Sequence, residues 1–201
     1  VARLIDEVPP GEYQYGLLAT HRAGLGNRLL TRRESHMWRM VLRPEDFPAG
    51  GALGAEALDG GDLPSILRLF DGHPDRPDAF HAAQLQEGTF FGIREESALV
   101  SVAGTHVIGA SASVAGVGNI FTDPLFRRRG FGTAVSRAVV QELLLRQIRT
   151  IVLNVAMDND AALHLYRGLG FWPFCGYYEG VGELTEASFD NAQDASPSGR
   201  G

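Results

Sequence analysis

Lysine is absent from the chain, so all 18 basic residues are arginines. That removes Schiff-base lysine chemistry and the phosphate-binding lysine of a P-loop together. Cysteine is nearly absent too. The lone Cys175 permits neither an internal disulfide nor a cysteine-rich zinc site and suits a reducing compartment. It reads either as a small buried hydrophobe or as a thiol with chemistry. No G-x-S-x-G elbow or H-E-x-x-H helix occurs, and the six histidines are scattered, so no metal is expected. Apolar runs are short. None approaches the ~20 residues that span a bilayer, and Val1–Glu7 lacks a signal peptide's apolar stretch, so the expectation is a cytoplasmic chain with no membrane partner. Positive charge is the minority sign, 18 basic against 24 acidic residues. The net −6 repels nucleic acid, and no nucleic-acid partner is expected.

What is present fits one globular domain with a small appended element. The 201 residues, 44% hydrophobic, can bury a real core, and 25 glycines call for many tight turns. Tyr13–Ala19 and Met37–Leu42 read as strands joined by the polar segment Gly24–Arg33. Pro44, Pro48 and the glycines Gly50, Gly51 and Gly54 then break regular structure. The expected division is therefore an extension over 1–55, a main domain over 56–184 and a disordered tail over 185–201. Asp62 stands as an N-cap before Pro64, and Leu63, Ile66, Leu67 and Phe70 recur at helical spacing until Gly72 and Pro74. Four strands follow, Phe90–Arg94, Ala98–Ala103, Val107–Ser113 and Val117–Thr122, as an antiparallel meander. A helix over Gly132–Arg146 carries the stripe Val135, Ala138, Val139 and Leu143, and leads to Thr150–Val155, a buried strand of parallel type. A helix over Asn159–Gly168 and a strand near Phe174–Tyr178 complete the pattern, with no internal repeat.

Two segments carry chemistry. Between Val117–Thr122 and the following helix lies Asp123-Pro-Leu-Phe-Arg127-Arg128-Arg129-Gly130-Phe131-Gly132-Thr133. Glycines there let the backbone turn tightly and approach a ligand, and the helix start offers unpaired N–H groups suited to a pyrophosphate. The arginines add cations shaped for phosphate oxygens. A solvated turn is the plain alternative, and a G-x-G-x-x-G dinucleotide fingerprint fails because position 135 is Val135. In the second segment, Thr150–Phe171, Asn159, Ala162 and Tyr166 fall at i, i+3 and i+7 on one side of a helix. Tyr166 reads as a core residue whose hydroxyl finds a carbonyl, or as a group serving a site. Asn159 reads as a cap or as a ligand contact.

Arg127-x-x-Gly130-x-Gly132 after a strand ending in Thr-x-Pro, then Leu-Asn-Val, then Asn-x-x-Ala-x-x-x-Tyr-x-x-x-Gly-Phe, together resemble the GNAT superfamily of acyl-CoA-dependent N-acetyltransferases over Val117–Phe171. Gly88–Ile93 and Ala103–His106 are similar to its glycine N-acyltransferase-like branch. The resemblance implies an α/β (α+β) fold, with a mixed, mostly antiparallel sheet, a splayed parallel strand pair and flanking helices. It also implies acetyl-CoA or another short acyl-CoA as donor and a small-molecule or peptide amine as acceptor, with room for a homodimer. Carried over residue by residue, Arg127, Arg128, Arg129, Gly130, Phe131, Gly132 and Thr133 cradle the pyrophosphate. The edge Ile120, Phe121 and Thr122 pairs with the pantetheine arm, lined by Asn154, Asn159 and Ala162. Tyr166 faces the sulfur and protonates the departing thiolate. One feature departs from the family: Val117–Thr122 has no glutamate to serve as base. His106, Glu179 or a water chain could take the proton, His106 reading more simply as a strand residue. A non-catalytic acyl-CoA-binding module and a nucleotide-binding oxidoreductase are the competing functions.

Overall fold

The computed structural model describes residues 7–52 and 54–186. Most of the expected tail and the extreme N-terminus lie outside the described residues. Two compact units are distinguished, one of residues up to His36 together with those from Gly176, the other Met37–Cys175. The proline- and glycine-rich stretch from Pro44 lies within the second.

The first unit holds β1 (Gly11–Leu17), α1 (Ala19–Leu25), the first half of β2 (Leu29–Leu42) and most of β8 (Trp172–Leu184) in strand order β1-β8-β2. β1 runs antiparallel to β8, from Gly11 opposite Leu184 to Leu17 opposite Tyr178. The segment Gly24–Arg33, expected as a polar connection, is instead the end of α1, a short 3-10 turn and the start of β2. Its anchors are Leu25 and Leu29, both buried, while Arg22 pairs with Glu34 at 2.9 Å and Arg32 with Glu12. A strand whose outer face carries ion pairs shows little hydrophobic alternation, so its sequence reads as a loop. β8 is likewise far longer than the expected Phe174–Tyr178, continuing through glycine-rich residues to Leu184.

The second unit orders its strands β2-β7-β6-β5-β4-β3, where β3 is Glu56–Leu58, β4 Phe90–Glu95, β5 Ala98–Gly109, β6 Val114–Thr122 and β7 Thr150–Ala156. All pairings are antiparallel except β6 with β7, the pair joined through helix α4 (Phe131–Leu145). The meander expected from the short connections is present, with one change. Ala98–Gly109 is a single strand that absorbs Gly104-Thr105-His106 through irregular register. A glycine that looks like a break marks a close approach instead: the Phe90 ring lies where a side chain at Gly104 would be.

The core has two parts. The larger gathers Met40 and Leu42 of β2, Ile151 of β7, Leu169, and Val135, Val139 and Leu143 of α4. Each such side chain contributes about 1.5–3 kcal/mol by leaving water. The smaller gathers Leu58, Phe90, Val102 and Phe121 under helix α2 (Leu63–Phe70), with Phe70 edge-on to Phe121 at 5.7 Å. In α2 the buried residues are Ile66, Leu69 and Phe70, whereas Leu67 is 50% exposed. Asp62 occupies the cap position without capping. A 3-10 turn over Gly60–Asp62 precedes α2, and its cap is Asp59, which accepts from Gly61 N–H at 2.7 Å, while Asp62 receives the Asp59 N–H and pairs with Arg94. Helix α3 (Gln84–Glu87) is a single turn, and α5 (Asp160–Gly168) follows β7.

Candidate active site

The parallel pairing of β6 and β7 lasts three residues, from Val114 opposite Thr150 to Gly116 opposite Val152. Beyond it β6 stays bonded to β5 as far as Thr122, opposite Ser101, but no longer to β7. The main-chain edge of Val117–Thr122 on the β7 side is therefore without a strand partner among the described residues. An extended, amide-bearing chain is what such an edge binds.

The turn stands at the end of this opening. Asp123 caps a 3-10 turn by accepting from Leu125 N–H at 2.8 Å, and Arg127 folds back, donating from Nε to the Thr122 carbonyl at 2.9 Å. The Arg127 guanidinium also meets Asp75 at 2.6 Å and lies over the Phe121 ring. It holds the Asp75 carboxyl below its ordinary range, chiefly by that hydrogen bond. Arg127 thus fastens the turn with its side chain. Arg128 and Arg129 are exposed, Arg129 stacking over Phe126 at 5.0 Å.

Arg128 (φ 64°) and Gly130 (φ 83°) both adopt left-handed backbone, which brings the chain around into α4. The first N–H of α4 with a main-chain acceptor is that of Ala134, bonded to Gly130 O at 3.0 Å. Among the described residues the N–H groups of Gly130, Phe131, Gly132 and Thr133 have no acceptor. Four donors at the positive end of a 15-residue helix are suited to an anion. A Cβ on Gly132 would stand 3.3 Å from Leu165 Cδ1 and 3.4 Å from Thr122 Oγ1, so the turn, the end of β6 and α5 converge there. Coenzyme A, an anionic diphosphate on an amide-bearing arm, fits both features.

On the far side, Asn159 is the N-cap of α5, accepting from Ala162 N–H at 3.1 Å, and Ala162 is half-buried against the main core. Asn154 is exposed on β7, with its Oδ1 accepting from Arg39 Nε at 3.1 Å. Ile120 is half-buried against the main core, Phe121 is buried in the second cluster, and Thr122 Oγ1 bonds Ser101 Oγ at 2.8 Å. Phe121 and Thr122 are therefore tied up through their side chains and face the opening with main chain alone. Tyr166 is 8% exposed, edge-on to Phe171 at 6.1 Å. None of the described residues accepts a hydrogen bond from its hydroxyl, and burial pushes its pKa up to about 12. The phenol is therefore protonated throughout the neutral range.

Asn119 carries no motif and escapes a sequence reading. It lies on β6 at φ 52°, buried to 3% exposure, where Asn119 and Ile120 together oppose Ala103 in a bulge. The pair Gly118-Asn119 inside an apolar strand is the signal that could have found it, since asparagine tolerates left-handed backbone and bulges need it. His106, at a second irregularity on β5, is exposed, with its imidazole over Gly118 where a Cβ would collide with Nε2. Glu179 belongs to the first unit, where it accepts from the Tyr177 hydroxyl. A surface depression lined by Ser65, Arg68, His73 and Glu96 shares only Asp123 with the segment leading to the turn. Among the described residues no group of His, Cys, Asp and Glu is arranged to hold a metal, and no helix is long and apolar enough to cross a membrane.

Comparison with known proteins converges on one family. The profile of the Acetyltransferase (GNAT) family matches residues 63–171. The [ribosomal protein bS18]-alanine N-acetyltransferase of Salmonella typhimurium is 34% identical over 45% of this chain, which spans 66% of that enzyme's length. The N-alpha-acetyltransferase RimI of Mycobacterium tuberculosis is 34% identical over 66% of this chain and 82% of its own. In fold, a putative GNAT acetyltransferase from Novosphingobium aromaticivorans superposes with a TM-score of 0.70 at 20% identity, covering 92% of this chain and 80% of that one. These relatives are named as an alanine N-acetyltransferase and an N-alpha-acetyltransferase, and the expected glycine N-acyltransferase-like branch receives no support.

Proposed function

The chain belongs to the acetyltransferase (GNAT) family, and on that premise we propose that it transfers an acetyl group from acetyl-CoA to a primary amine by direct attack at the opening between β6 and β7. The observation that carries this reading is the end of strand pairing at Gly116 and Val152, followed by a turn with free N–H groups on Gly130–Thr133. The donor's pyrophosphate lies on those N–H groups, and its pantetheine amides pair with the free edge of Ile120–Thr122. The acyltransferase domain is assigned to 56–184, within which Asn154, Asn159 and Ala162 flank the arm, Asn154 through its amide nitrogen because Arg39 takes its oxygen. Arg128 and Arg129 supply positive charge outside the turn.

Direct attack forms a bond from the amine nitrogen to the thioester carbonyl carbon and breaks the carbon–sulfur bond. The departing thiolate takes the Tyr166 hydroxyl proton, the nitrogen gives up a proton to solvent, and the phenolate regains one from solvent, so that no net proton is consumed. Tyr166 suits this role because its hydroxyl is protonated and has no described protein partner. The names of the relatives direct the search for the acceptor toward the α-amino group of a peptide.

A second reading, acyl-CoA binding without turnover, draws on the absence of any carboxylate from β6. One pair of measurements separates the two. Thiol release from acetyl-CoA is followed over an amine panel that includes peptides with a free N-terminal alanine, beside thermal melting with acetyl-CoA and with NAD. Binding and release establish transfer, while binding without release establishes the second reading. Acetyl-CoA at a hundredfold excess over Kd stabilises the fold by about 2.7 kcal/mol. A melting point that responds to NAD and not to acetyl-CoA overturns both.

A further inference from the structure

We infer that the side-chain carbonyl of Asn119 is the seat for the acceptor amine, holding one N–H of an uncharged amine in the opening between β6 and β7. The inference deepens the proposed transfer reaction and rests on it. Asn119 is buried in the stretch of β6 that has left β7, and its Oδ1 has no hydrogen-bond partner among the described residues.

The orientation of that amide is determined by its neighbours rather than by its own surroundings. Gln84 Oε1 accepts from the His81 N–H at 3.0 Å, and Gln84 Nε2 donates to the His106 carbonyl at 3.5 Å. Gln84 therefore presents an acceptor to Asn119, which can only answer with its Nδ2, at 3.0 Å. With the nitrogen committed, the oxygen is left over. A buried acceptor without a donor is costly to keep, and turning the amide over would set oxygen against oxygen. The bulge fixes the backbone as well, through the left-handed conformation of Asn119. Gly118 beside it leaves room for the His106 imidazole.

An amide oxygen accepts a hydrogen bond but takes no proton. The seat accordingly holds the amine and does not act as base. A carboxylate in its place would favour an ammonium ion.

The test uses the full chain, acetyl-CoA and whichever amine of the panel is turned over fastest. Asn119→Gly keeps the left-handed backbone and removes the oxygen. It is expected to raise the amine KM roughly tenfold, the loss of one hydrogen bond, with the Kd for acetyl-CoA within about twofold of the parent. Gln84→Leu releases the amide and raises the amine KM as well, and in the Asn119→Gly background it should add nothing further. A merely structural Gln84 would raise the KM by the same factor with and without the Asn119 side chain, and that result overturns the inference. An unchanged amine KM in Asn119→Gly also overturns it while leaving the transfer reaction standing. A parent protein that binds acetyl-CoA but acetylates no amine overturns it too, and failure to bind acetyl-CoA would bring down the underlying reading instead.

Discussion

The two ends of the opening between β6 and β7 are built on different principles. At the turn, Gly130–Thr133 offers main-chain N–H groups, and the nearby side chains either brace the loop, as Arg127 does, or stand in solvent. Toward the middle of β6 the main chain is bulged, and the group without a described partner is the side-chain oxygen of Asn119. A main-chain site tolerates most substitutions except those that change backbone geometry. A side-chain site can be altered one residue at a time. The donor end is therefore expected to be generic and the acceptor end particular to this protein.

The largest expected effect falls between those ends. Tyr166→Phe retains the ring against Phe171 and removes the proton, so the fold and the Kd for acetyl-CoA should hold while kcat falls by ~10²–10⁴. Steady-state kinetics and melting of the same two samples check it. A kcat within threefold of the parent would return Tyr166 to a purely packing role, since its hydroxyl has no partner among the described residues whose loss would be felt. The raised pKa gives a second readout. Burial favours the protonated phenol, so its contribution to stability is full below the ordinary value of 10.0 and is lost as pH rises through about 12. The Phe variant should lack that alkaline loss.

Next in size come the glycines, where the comparison can be sharpened. A Cβ at Gly130 meets no atom within 4 Å, yet the residue sits at φ 83°. Gly130→Ala therefore costs through backbone conformation alone, about 1–2 kcal/mol, or roughly five- to thirtyfold in affinity for coenzyme A. Gly130→Val should cost more, since a branched side chain suits that backbone still less. Gly132 has ordinary backbone but tight surroundings at Leu165 and Thr122, so Gly132→Ala should lose less than Gly132→Val. Calorimetry with coenzyme A measures all four, and equal losses at both positions would break the distinction between geometry and space.

How much of this was legible follows the same division. The turn, the α4 stripe Val135, Ala138, Val139 and Leu143, and the buried β7 run all rest on local pattern, and each stands where the sequence puts it. Elements whose identity depends on distant neighbours were not legible. β3 is three residues long and takes its strand character from pairing with Phe90–Gly92, while α1 has too little apolar patterning to announce a helix. Asn119 is the sharpest case. Its amide is held by Gln84, 35 positions away, through a hydrogen bond that no spacing rule anticipates. Arg127 shows the reverse: a legible motif residue whose side chain is occupied by Asp75 and Thr122.

Arg128 and Arg129 extend the donor end into solvent, and their effect should be smaller than that of the glycines. Replacing both by glutamine should weaken coenzyme A more than dephospho-coenzyme A if either guanidinium meets the 3′-phosphate. Equal losses would confine them to the general field, which is screened over about 8 Å at physiological salt.

The smallest expected effect belongs to Arg127, and it tests whether the turn is preformed. Its pair with Asp75 is about half exposed on both sides, and exposed pairs contribute about 0–1 kcal/mol. Arg127→Ala should therefore lower the melting point by no more than about 4 °C in a domain of this size. The bond to the Thr122 carbonyl is lost with it, so any greater effect must come through the turn. Asp75→Asn separates the two, because it removes the ion pair and leaves the contact with Thr122. Asp75 has a lowered pKa, so the pair's contribution is present above the ordinary value of 3.8 and fades as pH falls through the lower folded value. At neutral pH both variants lack the pair, and only Arg127→Ala lacks the bond across the turn. A coenzyme A affinity reduced in Arg127→Ala but not in Asp75→Asn would mean that Arg127 holds the N–H groups in place before the ligand arrives. Equal affinities in both would mean that the left-handed residues Arg128 and Gly130 suffice to shape the turn.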